Sequence, residues 1–132
     1  MEKSELPKDF CRQILDVDES IRFAGVSDSG GKTIMKEYRK GVIPLLSKQE
    51  EESSLMQAAI RMAARKVFEP KMGKTIYAFA LYEKVKRATI PLSNDLILMV
   101  SFDIEADHEP IILLKVIPLA KKHGLIPSEL FS

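Results

Sequence analysis

Residues 47–68 of the chain read SKQEEESSLMQAAIRMAARKVF, and this stretch decides the fold. Ser47 and Glu50 stand at the spacing of a capping box, in which each side chain accepts a hydrogen bond from the other residue's backbone amide. The acidic residues that follow Ser47 also suit the positive end of a helix dipole. The predicted helix carries an apolar stripe made of Leu55, Met56, Ala59, Ile60, Ala63 and Val67. We expect Pro70 and Gly73 to end this helix.

Two strands joined by a tight turn are predicted before the helix. Ile21–Val26 and Thr33–Tyr38 are rich in apolar residues. Asp28–Gly31 lies between them and predicts a hairpin turn, because glycine adopts the positive φ that such turns need. One face of the first strand is expected to be buried, and it holds Ile21, Phe23 and Gly25. The connector Arg39–Leu46 is predicted to be a loop.

Three strands are predicted after the helix, over Ile76–Tyr82, Val85–Leu92 and Leu96–Ile104. The last of them is the most apolar, so we expect it to lie at the centre of the sheet. Pro91 has no backbone N–H to donate, which predicts an edge strand or a bulge at that point.

A helix is predicted at each end of this series, over residues 7–18 and from Pro110 to His123. Pro118 predicts a kink or a break in the second of these helices. Residues 1–6 are expected to be flexible, and the apolar tail 125–132 is expected to dock on a surface. The chain is therefore predicted to be a single domain, 1–132, with its core in 7–124. The order α-β-β-α-β-β-β-α predicts a small sandwich of helices and sheet.

The charge balance limits the possible partners. The chain has 132 residues with 20 basic and 19 acidic side chains, and its formal net charge is +1. Nucleic acid is not expected as a partner, because phosphate binding generally needs a basic face. Two local basic clusters, Arg61–Lys66 and Lys84–Arg87, are typical of solvated surfaces, with an anionic partner or a membrane surface as the alternative.

The remaining composition predicts a cytoplasmic protein. Cys11 is the single cysteine, so no disulfide can form within the chain, and a lone thiol fits a reducing compartment. The first residues do not form a secretory signal, and every apolar run is too short to span a bilayer. Membrane binding is therefore not expected.

The motifs in the sequence predict neither an enzyme nor a cofactor. Asp28–Lys32 is glycine-rich, but a strand follows it and its spacing differs from a phosphate-binding loop, so a plain turn is favoured. The acids beside His108 are better explained by a helix N-terminus than by a metal site, because adjacent residues rarely converge on one ion. Cys11 is typical of a buried small apolar side chain rather than of a nucleophile.

Four segments stand in a distinctive order: IRFAGVSDSGGKTIM at residues 21–35, the helix Ser47–Phe68, the strands within Ile76–Ile104, and the helix that begins at Pro110. Over about residues 7–124 this order resembles the Roadblock/dynein-light-chain family. The resemblance implies an α+β, profilin-like fold: a five-stranded antiparallel sheet with the long helix on one face and the terminal helices on the other. The FAGVSDSGGK and PLLS-x-x-E patterns are also similar to those of short archaeal single-domain proteins.

The same resemblance implies a non-catalytic homodimer that acts as a scaffold or regulator of a small GTPase. We expect the dimer to form through the wide apolar surface of the central helix and the edge of the next strand. The predicted interface residues are Leu55, Met56, Ala59, Met62, Ala63, Ile76, Tyr77, Ala78 and Phe79. A charge introduced at Met62 is predicted to give a folded monomer.

The main alternative is a PAS-like small-molecule sensor, which belongs to a sandwich fold with the same sheet order. Its ligand would bind between the sheet and the helices, and the apolar connector 42–46 would act as a lid. A ligand that stabilises the folded state would favour this alternative.

Overall fold

The computed structural model describes residues 6–130. Its elements are α1 (Phe10–Asp16), β1 (Ile21–Ser27), β2 (Thr33–Tyr38), α2 (Lys48–Arg65), α3 (Glu69–Met72), β3 (Ala78–Leu81), β4 (Val85–Pro91), β5 (Ile97–Asp103), α4 (His108–Ile111) and α5 (Ile117–Lys122). The strands form one five-stranded sheet in the order β2-β1-β5-β4-β3, and every neighbouring pair is antiparallel. The predicted α+β fold is therefore confirmed.

Helices cover both faces of the sheet. α1, α4 and α5 pack on one face and form the main core, whose largest buried side chains include Phe10, Ile14, Leu98, Val100, Phe102 and Ile112. α2 packs on the other face over two smaller clusters, which hold Phe23, Leu55, Ala58, Ala59, Met62, Ile97 and Met99. The long helix and the terminal helices thus lie on opposite faces, in the arrangement that the resemblance implies.

β5 is the centre of the sheet, and its predicted place is confirmed. It pairs with β1 on one side and with β4 on the other. Leu98 and Val100 lie in the main core, whereas Ile97 and Met99 lie under α2. Because both faces of the strand are covered, its sequence is apolar almost throughout and does not alternate.

β1 departs from the predicted alternation. The register between β1 and β5 shifts between Ile21 and Phe23, and such an irregularity moves the following side chains to the opposite face. Ile21 therefore joins Ala24 in the main core, whereas Phe23 lies under α2. The prediction that Ile21, Phe23 and Gly25 share one face is wrong, because no local signal marks the shift.

The predicted capping box is present at the start of α2. The Glu50 amide donates to Ser47 Oγ at 3.1 Å, and the Ser47 amide donates to Glu50 Oε1 at 2.8 Å. The far end differs from the prediction: a 3₁₀ turn at Lys66–Phe68 leads directly into α3, which has Pro70 in its first turn. Pro70 does not stop the helical path, because proline is tolerated in a first turn. Gly73, with φ of 84°, ends it.

Two other prolines lie at irregular points of the backbone. A π-helical turn, Ile112–Val116, joins α4 to α5 just before Pro118, so the predicted break is present as a wider turn. Pro91 lies at the end of β4, beyond the last pair with β3 at Thr89. The prediction of an edge strand or a bulge there is wrong, because β4 lies inside the sheet and only its end is free of β3.

The chain after α5 belongs to the main core. Leu125 and Ile126 are buried, and the Ser93 amide donates a hydrogen bond of 2.6 Å to the Leu125 carbonyl. Leu6 also packs against the main core. Residues 131–132 of the predicted docking tail and residues 1–5 of the predicted flexible segment lie outside the described residues.

The turn between β1 and β2 is shaped by its contact with α2. Gly31 has φ of 86°, and a Cβ atom built there would lie 2.6 Å from the Cα atom of Met56. Only glycine satisfies both the positive φ and this close approach. The Asp28 carboxylate accepts hydrogen bonds from the amides of Gly30 and Lys32, each at 2.9 Å.

Arg39 ties the first helix to the sheet. Its Nε donates to the Ile21 carbonyl at 2.6 Å, and its Nη2 donates to the carbonyls of Asp18, at 2.6 Å, and Leu15. These carbonyls lie where the chain leaves α1 and enters β1. Charge-assisted bonds of this kind are stronger than neutral ones, so Arg39 fixes the angle between α1 and the sheet.

Arg39→Met is therefore expected to lower the free energy of unfolding by about 2 kcal/mol, because the carbonyls lose their charged donor. Urea denaturation followed by circular dichroism measures this change. The matched control is Lys40→Met, which alters the exposed neighbour and should change the free energy by less than about 0.5 kcal/mol. Equal effects of the two substitutions would contradict this role for Arg39.

Candidate interaction surface

α2 has apolar side chains on two sides. Leu55, Ala58, Ala59 and Met62 are buried against the sheet. A second row points to solvent and consists of Met56, Ile60, Ala63 and Val67; the last of these lies in the turn that follows the helix. Ile60 is 63% exposed and Val67 is 73% exposed. We call this row the outer face of α2.

The structure divides the predicted interface residues of the helix between these two sides. Three of these residues are almost completely buried: Leu55 is 1% exposed, Ala59 is 1% exposed and Met62 is 3% exposed. Their side chains are therefore already covered within one protomer. Their prediction as surface contacts is wrong, because the helix turns them toward Phe23, Met99 and Ile97. Met56 and Ala63 are exposed on the outer face, and Ile60, which was assigned only to the stripe, lies between them.

β3 is an edge strand with β4 as its single neighbour. It is shorter than predicted, because Ile76 and Tyr77 precede it and pack against the main core. Ala78 packs on the cluster under α2, whereas Phe79 stacks on the ring of His108 with centroids 3.9 Å apart. The predicted strand residues therefore have three different surroundings: the main core, the cluster under α2 and the ring of His108.

Apolar exposure continues beyond α2. Phe68 is 61% exposed and Met72 is 80% exposed, and both lie in the segment that connects α2 to β3. Exposed apolar side chains therefore also occur in the segment between the outer face of α2 and β3. Exposed apolar surface of this kind is typical of a protein interaction site.

A cleft opens beside the N-terminal half of α2. Its floor is one row of the sheet, in which Tyr38, Phe23, Ser101 and Arg87 are successive partners across β2, β1, β5 and β4. The cleft has a volume of about 710 Å³. This size is typical of small-molecule sites.

The walls of the cleft come from three segments, which supply Leu45 and Leu46 of the connector, Arg61 of α2, and Tyr82 and Lys84 of the β3–β4 turn. Arg22 holds the connector to the sheet: its guanidinium lies 3.2 Å from the Asp103 carboxylate and donates to the Ile43 carbonyl at 3.3 Å. The apolar connector predicted to be a lid therefore forms one wall of an open cleft.

A buried carboxylate marks the base of this cleft. Glu51 is 6% exposed; its Oε1 accepts from Lys36 Nζ at 2.6 Å, and its Oε2 accepts from the Tyr38 hydroxyl. Burial raises the pKa of Tyr38, and the hydrogen bond and negative charge of Glu51 raise it further. Lys36 balances the buried charge, so the network links β2 to α2.

The other chemical candidates have structural roles. Burial raises the pKa of the Cys11 thiol to about 12, and nearby Glu37 adds to this effect, so the group stays protonated and unreactive. His108 stacks on Phe79, and His123 Nε2 lies 2.8 Å from Gln13 Oε1. The amides of the glycine-rich turn point at Asp28, which leaves them unable to cradle a phosphate.

Residues 6–130 contain neither a cluster of metal-ligating side chains nor a helix that could span a membrane. No group of three or more His, Cys, Asp or Glu side chains within this range is arranged to hold a metal ion. No helix in the same range has the length and apolar character needed to cross a membrane.

The comparison with solved structures shows the fold. The Roadblock/LC7 domain from Streptomyces avermitilis is 10% identical, with a TM-score of 0.70 and coverage of 89% of this chain and 94% of that chain. Myxococcus xanthus MglB is 14% identical, with a TM-score of 0.67 and the same coverage. MglB with tetrameric arrangement is 14% identical, with a TM-score of 0.60, 93% of this chain and 99% of that chain. The predicted Roadblock-like fold is confirmed.

Comparison of the sequence with known families and curated proteins identifies no family for this chain. No family model matches the chain, and no curated protein matches it significantly. The likeness to short archaeal proteins stays a prediction.

The raised pKa of Tyr38 makes a testable contribution to stability. A group whose pKa is higher in the folded state stabilises the protein below its unfolded pKa, here about 10, and this stabilisation is lost as the pH rises. We therefore expect Tyr38→Phe to lower the melting temperature at pH 8, and the difference from the parent protein to shrink above about pH 10.

The control for this experiment is Tyr82→Phe, which removes a hydroxyl from an exposed side chain. Melting temperatures between pH 8 and pH 11 should show no pH-dependent difference for this variant. A difference for Tyr38→Phe that stays constant over the same range would contradict the assignment.

Proposed function

We propose that the protein is a non-catalytic homodimeric interaction module that scaffolds or regulates a small GTPase. The observation that carries this proposal is the outer face of α2, where Met56, Ile60, Ala63 and Val67 form an exposed apolar row. A surface helix normally has one apolar stripe and a polar opposite side. A second stripe on α2 is explained if a partner covers it.

The charges of α2 favour a second copy of the chain as that partner. Glu52 is exposed near the start of the helix, and Lys66, which also pairs with Asp95, is exposed just after its end. A two-fold axis across the outer face would place two α2 helices antiparallel, with acidic ends opposite basic ends. An interface of this type is self-complementary, as a symmetric dimer requires.

The free edge of β3 supports the same arrangement. α2 crosses the sheet toward β3, as the cluster of Met62 with Ala78 shows. Antiparallel pairing of β3 with its copy would satisfy the open hydrogen-bonding groups of the edge. In this proposal the helix and the strand both contribute to the dimer interface.

The class of partner is proposed from the resemblance to Roadblock domains. The Roadblock resemblance implies platforms in complexes that regulate small GTPases, and the similar structures include MglB with a tetrameric arrangement. The absence of a catalytic role is part of the proposal: Cys11 is buried and protonated, and both described histidines have packing partners.

Ile60→Glu is expected to convert a dimer into a folded monomer, because it places a charge in the centre of the outer face. Light scattering on a sizing column at several concentrations measures the mass, and circular dichroism checks the fold. Met62→Glu is expected to unfold the protein instead, because this side chain is 3% exposed and a buried unpaired charge is costly.

Leu114→Glu is the matched control, since Leu114 is 73% exposed on the helix that covers the opposite face of the sheet. This variant should keep both the fold and the dimer. A parent protein that is monomeric at all concentrations, or an Ile60→Glu variant that stays dimeric, would overturn the proposed interface.

The GTPase part of the proposal has its own test. Purified small GTPases encoded in the same genome are presented in GDP-bound and GTP-analogue-bound forms, and their binding to the immobilised protein is measured by interferometry. We expect at least one GTPase to bind, with an affinity that differs between the two nucleotide states. Failure of every such GTPase to bind would contradict this function and leave the dimer untouched.

A further inference from the structure

The floor of the cleft holds an uncompensated positive charge. Arg87 is half-buried, and within residues 6–130 its guanidinium makes neither a hydrogen bond nor an ion pair. Ser101 is its direct partner on β5, so the two side chains stand next to each other on the α2 side of the sheet. A guanidinium and a hydroxyl side by side are donors for one acidic group.

The remaining charges of the cleft favour an anion. Arg61 and Lys84 line the same space and also lack an ion-pair partner among the described residues. The acidic side chains are occupied or peripheral: Glu50 caps α2, Glu51 is bound by a lysine and a tyrosine, and Glu83 is exposed at the rim. Among the described charged side chains of the cleft, cations without an ion-pair partner therefore outnumber free carboxylates.

The walls favour a ligand with an apolar body. The rings of Phe23 and Tyr38 lie 4.7 Å apart on one side of the floor. Leu45 is 55% exposed and Tyr82 is 51% exposed at the mouth, although both are largely apolar. A ligand on the floor of the cleft would cover the exposed parts of these side chains. Small-molecule sites usually combine apolar walls of this kind with a few polar groups.

We propose that this cleft binds a small organic anion with an aromatic or aliphatic body. The acidic group of the ligand accepts hydrogen bonds from Arg87 and Ser101, and its apolar body packs against Tyr82 and the connector leucines. Carboxylates, sulfonates and phosphate monoesters share this chemistry. The proposal stands on a different surface from the outer face of α2 and does not depend on dimerisation.

A matched pair of fluorescent probes tests this proposal. 1-Anilinonaphthalene-8-sulfonate carries a sulfonate on an apolar body, and N-phenyl-1-naphthylamine has the same body without the charge. Fluorescence titration of the full-length protein should show one sulfonate probe per protomer, bound at least roughly tenfold more tightly than the neutral probe. Excess inorganic phosphate separates the contribution of the acidic group from that of the apolar body. If phosphate displaces the sulfonate probe only weakly, the apolar body of the probe contributes to its affinity.

Substitutions locate the site. Arg87→Gln should weaken binding of the sulfonate probe by roughly tenfold or more and leave the neutral probe unchanged. Lys122→Gln, an exposed lysine on the helix at the opposite face, should change neither. Ile60→Glu should keep the sulfonate probe bound, since the outer face is not part of the cleft. Thermal unfolding of each variant confirms that it is folded.

Three outcomes would overturn the proposal: no binding of either probe, equal affinity for both probes, or equal affinity of the parent and Arg87→Gln for the sulfonate probe. Loss of binding in Ile60→Glu alone would place the probe on the dimer surface and also overturn it. Amide chemical shifts give a second measurement, and the sulfonate probe should perturb residues 23, 38, 87 and 101 together.

Discussion

The burial of Leu55, Ala59 and Met62 against the sheet fixes the rotation of α2 about its own axis, and the position of its outer face follows from that rotation. Once these side chains are covered, Ile60 must face solvent, because it lies on another side of the same helix. The small side chains of Ala58 and Ala59 let the middle of the helix approach the sheet closely. Gly31 gives the same closeness to the β1–β2 turn, where any Cβ atom would collide with Met56.

The N-terminal half of α2 meets the sheet differently. There the contact is polar, with Glu51 held between Lys36 and Tyr38. This buried ionic network lies at the base of the cleft, beside the row of the sheet that contains Phe23 and Arg87. Such a network costs desolvation energy, which Lys36 and Tyr38 offset.

Local signals predicted much of this fold. The capping box at Ser47, the glycine turn after Asp28 and the continuous apolar run of β5 each express a short-range rule, and each is present. The facing of α2 was not predictable in the same way, because Ile60 and Met62 are both apolar and helical periodicity cannot choose between them. The side of α2 that is buried depends on the sheet, which is formed by strands from distant parts of the chain. The row that joins Phe23, Ser101 and Arg87 is likewise invisible until the register is known.

The outer face and the cleft share one helix, which raises the question of whether they communicate. Arg61 lines the cleft and is adjacent in sequence to Ile60. Coupling between the sites would require α2 to shift. Two sites influence each other only through a conformational change that alters the binding affinity of both. Leu55 and Met62 oppose such a shift, since any rotation of the helix would expose them. The packing that fixes the outer face therefore also keeps the two surfaces independent, and an occupied cleft should leave the assembly of the protein nearly unchanged.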